Sequence, residues 1–165
     1  MAITLLARQA SADRPFGLAL YASTRAGELA ATGWPEAVKQ AFLGQQFDLR
    51  EAHYARVYPA AKDWWVMEDS TRVGRLLMAE DPDGHTVVDF ALLPQTHGRG
   101  IGTQLLCRLQ AQASHLGVPV HLHVAADNPG AMRLYMRLGF RFVGDDDRDQ
   151  LYRAMCWRPE ELVAV

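Results

Sequence analysis

The N-terminal part of the chain combines short apolar runs with a helical pattern. Apolar runs at residues 3–8 and 17–21 have the length of strands, and we expect one of them to form the first strand. Residues 36–46 are predicted to form a helix behind Pro35, because large side chains recur on one face at helical spacing. That face consists of Trp34, Val38, Ala41, Phe42 and Gln45. A shorter helix is predicted over residues 50–58, before the next proline.

The middle of the chain shows the pattern of strands joined by short turns. Residues 64–68, 73–79 and 86–93 are rich in apolar, aromatic and β-branched side chains. Residues 70–72 and 81–84 contain the Ser, Asp, Pro and Gly that are typical of turns. Such short connections predict an antiparallel meander. Residues 86–93 are almost entirely apolar, which predicts a central strand covered on both faces.

The C-terminal half alternates helices and strands. The clearest helix spans residues 101–116, has one apolar face and is closed by Gly117 as a C-terminal cap. That face consists of Ile101, Leu105, Leu106, Leu109, Ala113 and Leu116. The remaining predicted elements are a strand (118–124), a helix (128–139) and a closing pair of strands (140–144 and 151–157). Strands mixed with flanking helices indicate an α/β or α+β domain.

Composition narrows the class of protein. The chain has 165 residues, of which 49% are hydrophobic and 22% charged, as expected for one globular domain over residues 1–165. Its 17 basic and 19 acidic residues give a net charge of −2, so we expect no nucleic-acid or membrane partner. The cysteines, Cys107 and Cys156, predict neither a disulfide scaffold nor a metal-binding pair. No signal peptide or membrane helix is recognisable, so a cytoplasmic location is expected.

Three glycines are clustered where the central strand meets the clearest helix. Gly98, Gly100 and Gly102 fall within residues 97–102. Glycine in a helical turn costs about 1 kcal/mol relative to alanine, so a compensating role is expected. Unpaired N–H groups at a helix start bind anions, and glycines let phosphate oxygens approach the backbone. The cluster predicts a phosphate site or, alternatively, a tight turn without ligand. Its spacing differs from nucleoside-triphosphate and dinucleotide loops.

Residues 92–102 resemble the acyl-CoA signature of the GNAT superfamily of N-acetyltransferases, Gln/Arg-x-x-Gly-x-Gly/Ala. Gly100 and Gly102 match its glycines, and His97 stands where Gln or Arg is usual. The resemblance implies that backbone N–H groups of the loop hold the pyrophosphate of acetyl-CoA. The residues it assigns to coenzyme binding are Leu92, Leu93, His97, Gly98, Arg99, Gly100, Ile101, Gly102 and Thr103.

Residues 128–140 resemble the second signature of the same superfamily, Asn-x-x-Ala-x-x-Leu/x-Tyr-x-x-x-Gly-Phe, at every defining position. The resemblance adds Asn128, Ala131 and Tyr135 to the coenzyme site. It also implies that the Tyr135 phenol is the general acid that protonates the departing coenzyme thiolate. From the residues alone, a role as helix N-cap explains Asn128, and Tyr135 is favoured as a packed side chain whose hydroxyl needs a partner.

The resemblance covers residues 86–140 and implies both a fold and an activity. The fold would be GNAT-like, with a mixed, mostly antiparallel sheet of six to seven strands flanked by about four helices. The activity would be acetyl transfer from acetyl-CoA to a primary amine of a small molecule or peptide, by direct attack on the thioester and without a metal. The central strand would splay from its neighbour and free N–H groups near Leu92 and Leu93 for the acyl carbonyl. Segments 23–29 and 42–59 are similar to a bacterial branch of the superfamily.

Three side chains are candidates for the base that deprotonates the amine. A lysine-like amine has a pKa of about 10.4, so attack at neutral pH needs a base or desolvation. His123 has the suitable pKa of imidazole, and the resemblance places it where ribosomal-protein N-terminal acetyltransferases carry a Glu. Asp89 is either a base or the partner of an arginine. His121 shares a strand face with His123, but no third ligand stands at a telling spacing, so no metal is expected.

The sequence leaves alternatives open for the acceptor site, the oligomeric state and the function of the protein. Six aromatic side chains are expected in the core rather than in an acceptor cleft: Trp34, Phe42, Phe47, Tyr54, Tyr58 and Trp64. The acidic segment 145–149 is either a solvated turn or an attraction for a cationic amine. The edge at 151–157 could pair with a second chain, so monomer and homodimer both stay open. Besides an enzyme, the chain could be a non-catalytic acyl-CoA-binding or regulatory module on the same fold, or a structural domain.

Overall fold

The computed structural model describes residues 1–9, 11–144 and 150–160, so the acidic segment predicted to form a turn at 145–149 lies outside the described residues. The helices in this part are α1 (Arg14–Ala30), α2 (Glu36–Val57), α3 (Ile101–Leu116) and α4 (Pro129–Arg137). The strands are β1 (Ile3–Ala7), β2 (Lys62–Glu68), β3 (Thr71–Asp81), β4 (Gly84–Leu92), β5 (Val120–Ala125), β6 (Arg141–Phe142) and β7 (Tyr152–Trp157). In these ranges no helix has the length and apolar character that crossing a membrane requires.

The described strands form one seven-stranded sheet in the order β1-β2-β3-β4-β5-β7-β6. β1 pairs antiparallel with β2, and β7 pairs antiparallel with both β5 and β6. β4 and β5 pair in parallel through residues 85–87 and 120–122. β2, β3 and β4 are neighbours joined by short turns, as the predicted meander requires, and β4 occupies the centre of the sheet. The predicted α/β class with a mixed, mostly antiparallel sheet is confirmed.

The chain divides into two compact units. The first unit comprises Met1–Leu77 and Asp89–Arg99, and the second comprises Met78–Val88 and the residues from Gly100 onward. Each unit therefore contains parts of β3 and β4 together with its own helices, α1 and α2 in the first and α3 and α4 in the second. The single domain over residues 1–165 stays a prediction.

The first strand is β1, and the alternative at residues 17–21 lies within α1. Gly17, Leu20 and Tyr21 are buried on α1, and Pro15 occupies its first turn, where a missing N–H costs little. A run of five apolar residues is too short to distinguish a strand from a helix by periodicity. The sequence alone therefore left both positions open.

α2 is one continuous helix, so the predicted pair of helices at 36–46 and 50–58 is wrong. The face on which the large side chains were predicted to recur is mostly exposed: Trp34 is 41% exposed and Val38 is 47% exposed, whereas Phe42 is half-buried against the apolar cluster of this unit. Of the six aromatic side chains expected in the core, Phe47 is buried whereas Trp34 is not.

The inner face of α2 carries both apolar and charged residues. Leu43 and Phe47 are buried against Tyr21 and Leu29 of α1. The residues that follow on the same face at helical spacing include Glu51, which makes ion pairs inside the unit. Charged side chains at buried positions interrupt the apolar periodicity of α2. This interruption explains why the sequence predicted two helices and the wrong buried face.

An arginine–carboxylate network is buried in the first unit. The Arg75 side chain of β3 is 2% exposed and bonds Glu51 at 2.7 Å, Asp63 at 2.8 Å and Asp89 at 3.4 Å. Arg8 bonds Asp63 at 2.8 Å and Glu51 at 3.4 Å. Burial opposes the charge on Arg75, but the Asp63 hydrogen bond and the charges of Asp89, Asp63 and Glu51 outweigh it and raise its pKa. Paired in this way, the charges tolerate removal from water.

The second unit has an apolar core. α3 has the predicted bounds, buries the predicted face except Leu116, and ends at Gly117 with φ of 69°. The Gln110 amide donates a hydrogen bond to the Leu138 carbonyl at 2.7 Å, which ties α3 to the end of α4. The predicted strands at 118–124, 140–144 and 151–157 are all present but shorter or shifted, as β5, β6 and β7.

Candidate functional site

The glycine loop between β4 and α3 is built on left-handed backbone conformations. Gly98 has φ of 74° and Gly100 has φ of 81°, a region that favours glycine over residues with a Cβ. Gly100 is the N-cap of α3, and its carbonyl accepts the first helical hydrogen bond, from the Gln104 N–H at 3.0 Å. The N–H groups of residues 101–103 precede that bond at the positive end of the helix. This arrangement suits an anion.

Space beside the loop is open. A Cβ built at Gly98 or at Gly100 would meet no atom within 4 Å. These glycines are therefore needed for their backbone conformation, and packing does not explain them. Gly102 differs because it is buried within the first turn of α3.

The two polar side chains of the loop bond to the protein itself. The His97 Nε2 lies 2.9 Å from the Leu92 carbonyl oxygen at the end of β4. The Arg99 guanidinium makes two hydrogen bonds to the Glu68 carboxylate at the end of β2. Both residues were predicted to belong to the coenzyme site, and in this structure each side chain attaches the loop to a strand.

The end of β4 offers one backbone donor fewer than predicted. The Leu93 N–H donates to the Val73 carbonyl of β3 at 2.8 Å, so this group is not open to an acyl carbonyl. Successive N–H groups of a strand point to opposite edges, which directs the Leu92 N–H away from β3. The registered pairs of β4 with β5 end at Val87, although β4 runs on to Leu92. Of the two predicted donors, Leu92 keeps the suitable orientation.

Gly74 is a residue that sequence reasoning missed. A Cβ at this position would lie 2.3 Å from the Ala91 carbonyl oxygen and 2.6 Å from the Leu92 side chain. Only glycine lets β3 approach the end of β4 this closely. The signal was available, because a glycine inside a strand pattern marks a close backbone approach.

Asp89 is held by two arginines. Its Oδ2 lies 3.4 Å from both the Arg75 and the Arg50 guanidinium groups, and its side chain is 13% exposed. Burial, and then the negative charge of Asp89, raise the pKa of the nearby Tyr54 to about 12. Of the two interpretations of Asp89, base or arginine partner, the geometry supports the second.

His123 and α4 lie on opposite faces of β5. Val120 and Trp157 are cross-strand partners and share a face, and a Cβ at Gly139 would lie 3.4 Å from the Trp157 ring, so α4 ends on that face. His123 alternates to the other face, where it is exposed opposite Ala154.

Tyr135 occupies the inner side of α4. Its ring is 7% exposed and packs 5.7 Å from the ring of Phe140, which is fully buried. The Asn128 side chain caps the helix by accepting a hydrogen bond from the Ala131 N–H at 3.1 Å. The capping interpretation of Asn128 is confirmed.

The structure gives His121 a place outside the predicted site. His121 lines an open cavity of about 250 Å³ at the start of β4, together with Asp81, Asp83 and Thr86. Within residues 1–9, 11–144 and 150–160, no group of three His, Cys, Asp or Glu side chains is arranged to hold a metal ion.

Comparison with known families decides the relationship. The family model described as the acetyltransferase (GNAT) family matches residues 25–140. The chain belongs to the GNAT acetyltransferase family. The match includes the glycine loop and residues 128–140, so both sequence signatures of this GNAT acetyltransferase lie inside it. Acetyl transfer is the general activity of the family.

Three solved acetyltransferases share the fold of this GNAT chain. The paia N-acetyltransferase from Thermoplasma acidophilum, in complex with coenzyme A, has a TM-score of 0.68 at 16% identity and covers 96% of this chain and 99% of its own. An acetyltransferase from Thermus thermophilus has a TM-score of 0.68 at 20% identity, covering 96% and 97%. A spermidine N-acetyltransferase chimera from Vibrio cholerae and hSSAT has a TM-score of 0.62 at 22% identity, covering 96% of both chains. The predicted GNAT-like fold is confirmed.

Proposed function

We propose that this protein is an acetyl-CoA-dependent N-acetyltransferase acting on a primary amine of a small molecule or peptide. The observation that carries the proposal is the loop at Gly98 and Gly100, with its left-handed glycines, open flank and helix N-terminus. Family membership supplies the chemistry of acetyl transfer. The bacterial branch, the cytoplasmic location and a monomeric or dimeric state stay predictions.

The loop suits the coenzyme pyrophosphate. The N–H groups of residues 101–103 stand at the start of α3, where the helix dipole favours negative charge. No side chain fills the space beside Gly98 and Gly100, so phosphate oxygens can approach the backbone. Acetyl-CoA, when bound, supplies the activated acetyl group. The Leu92 N–H is the backbone donor we assign to the acyl carbonyl oxygen.

For the reaction we propose a direct transfer, with His123 and Tyr135 acting from opposite faces of β5. The amine approaches from the His123 face of β5 and attacks the thioester carbon, with His123 accepting the proton that the amine releases. The C–N bond forms and the C–S bond breaks. Tyr135, on the inner side of α4, donates its phenolic proton to the leaving sulfur. Because Asp89 is bonded to two arginines, we assign the base to His123.

A thiol-release screen tests the proposal. The full chain is incubated with acetyl-CoA and a mixed library of amines, polyamines, amino acids and peptides, and free coenzyme thiol is measured. We expect amine-dependent release from at least one class. Tyr135→Phe is the matched variant, because it keeps the ring packing against Phe140 and removes only the hydroxyl. It should lower turnover about ten- to a thousandfold with little change in coenzyme affinity.

Two results would contradict the proposal in different ways. Coenzyme binding without turnover of any amine would indicate a non-catalytic acyl-CoA-binding module on the same fold. Wild-type turnover in Tyr135→Phe would remove the general acid while leaving the activity in place.

A further inference from the structure

Arg99, in the middle of the glycine loop, is bound to the end of strand β2 in the first unit. Its Nη1 donates to Glu68 Oε2 at 3.0 Å and its Nη2 donates to Glu68 Oε1 at 2.5 Å, a bidentate pair. The same Nη2 lies 4.0 Å from the Met1 sulfur. The Arg99 side chain is 47% exposed, whereas that of Glu68 is 13% exposed. A solvent-accessible arginine is thus fixed to a mostly buried carboxylate.

Glu68 lies where strands β1 and β2 are paired. It is the last residue of β2 and pairs with Ile3 of β1. The next residue, Asp69, accepts a hydrogen bond from the Ala2 N–H at 2.9 Å and donates its own N–H to the Ala2 carbonyl at 2.8 Å. The carboxylate that receives Arg99 is therefore attached to two paired strands.

The loop has few other attachments of this kind. The positions beside Gly98 and Gly100 are open, so these residues gain no restraint from side-chain packing. His97 bonds back to Leu92, at the end of the strand from which the loop itself departs. Glycine-rich backbone has much conformational entropy to lose when a ligand orders it. An attachment to a separate strand lowers that cost in advance.

We propose that Arg99 is a positioning residue that holds the coenzyme loop through Glu68 and does not bind a phosphate with its guanidinium. The inference rests on the proposed coenzyme site. Because both Nη groups of Arg99 donate to Glu68, we assign the binding of phosphate to the backbone N–H groups of the loop. Coenzyme affinity then depends on a carboxylate that would repel phosphate by its own charge.

The sign of the Glu68→Gln effect separates the two roles. For a positioning residue, Glu68→Gln releases the loop and weakens coenzyme A binding roughly three- to tenfold, although it removes a negative charge. For a phosphate ligand, the same change frees Arg99 and leaves binding unchanged or tighter. The dissociation constant of coenzyme A for the full chain is measured by calorimetry.

A double-mutant cycle completes the test. Arg99→Gln should weaken binding to a similar extent as Glu68→Gln, and the combined variant should be no weaker than either, because both break one interaction. The KM for acetyl-CoA should rise in parallel with the dissociation constant of coenzyme A in each variant. Arg14→Gln is the matched control, since it breaks an exposed bidentate pair with Asp48 elsewhere in the unit and should leave affinity unchanged.

The outcomes distinguish this inference from the proposed function. Failure of the wild-type chain to bind coenzyme A overturns the coenzyme site and the inference with it. Wild-type binding together with unchanged or tighter binding in Glu68→Gln overturns only the positioning role. Additive losses in the double variant overturn it as well, because they show two independent effects.

Discussion

The first unit buries a network of ion pairs beside its apolar cluster, whereas the buried side chains described for the second unit are mostly apolar. In the first unit, Arg75 is 2% exposed and is surrounded by carboxylates of α2, β2 and β4. In the second unit, Leu106 is 1% exposed and Phe140 is fully buried, and both belong to a core of apolar side chains. Apolar contacts are non-directional and tolerate substitution by residues of similar volume. A buried ion-pair network depends on donors and acceptors in fixed positions, so conservative substitutions in the network and in an apolar core should have different effects on stability.

Removal of the central arginine should have the largest effect. Arg75→Met leaves Glu51, Asp63 and Asp89 without their shared partner in a buried setting. We expect the free energy of unfolding to fall by about 3–5 kcal/mol, measured by urea denaturation. The control is Arg14→Met, whose partner is exposed and whose loss should have a much smaller effect on stability. A similar loss of unfolding free energy in the two variants would show that the buried network contributes no more to stability than an exposed ion pair.

Conservative substitutions in the two units should reduce the free energy of unfolding by different amounts. Arg75→Lys keeps the charge but cannot reproduce the forked set of hydrogen bonds, so we expect a loss of about 2–3 kcal/mol. Leu106→Met keeps the volume of a fully buried apolar side chain and should cost less than about 1.5 kcal/mol. Both are measured by the same denaturation experiment. If Arg75→Lys is as stable as Leu106→Met, the network requires only a positive charge at position 75.

Acid should weaken the first unit through Asp63. Burial raises the pKa of this carboxyl, but the hydrogen bonds and charges of Arg75 and then Arg8 outweigh burial and hold the pKa below its ordinary value of 3.8. A lowered pKa in the folded state stabilises the protein above the ordinary value, and this contribution disappears as pH falls below it. One such group contributes a slope of up to about 1.4 kcal/mol per pH unit.

Urea denaturation across pH 2–5 measures this slope. Asp63→Asn should flatten the acid dependence, whereas Asp83→Asn, on the exposed turn before β4, should retain it. An unchanged slope in Asp63→Asn would assign acid sensitivity to other carboxylates.

The smallest expected effect concerns a helix cap in the second unit. Asn128→Ala removes the bond from the Ala131 N–H and should cost about 1 kcal/mol in unfolding free energy. Asn128→Asp preserves an equally good cap and should remain close to the wild-type value. Thermal unfolding of the two variants measures the difference. Equal loss in both would show that the amide has a role besides capping.

The same contrast explains what sequence reasoning could predict. α3 was predicted with its exact bounds because its buried face is apolar and a left-handed glycine follows it. α2 was divided wrongly because its inner face continues with charged residues. Apolar periodicity reports hydrocarbon burial and is blind to charges that are buried in pairs.

The candidate site shows a similar division. The loop glycines and the Asn128 cap are local features, and local spacing predicted them. The bond from Arg99 to Glu68 and the use of the Leu93 N–H by β3 join residues distant in sequence. Their partners depend on strand register, which a single sequence does not specify.

Calorimetric titration of the full chain with acetyl-CoA tests the central claim most directly. The open glycine loop at the start of α3 predicts saturable binding in the micromolar range, together with a rise in the thermal midpoint, because a ligand that binds only the folded state stabilises it. A titration without heat, combined with an unchanged thermal midpoint at saturating acetyl-CoA, would contradict the account.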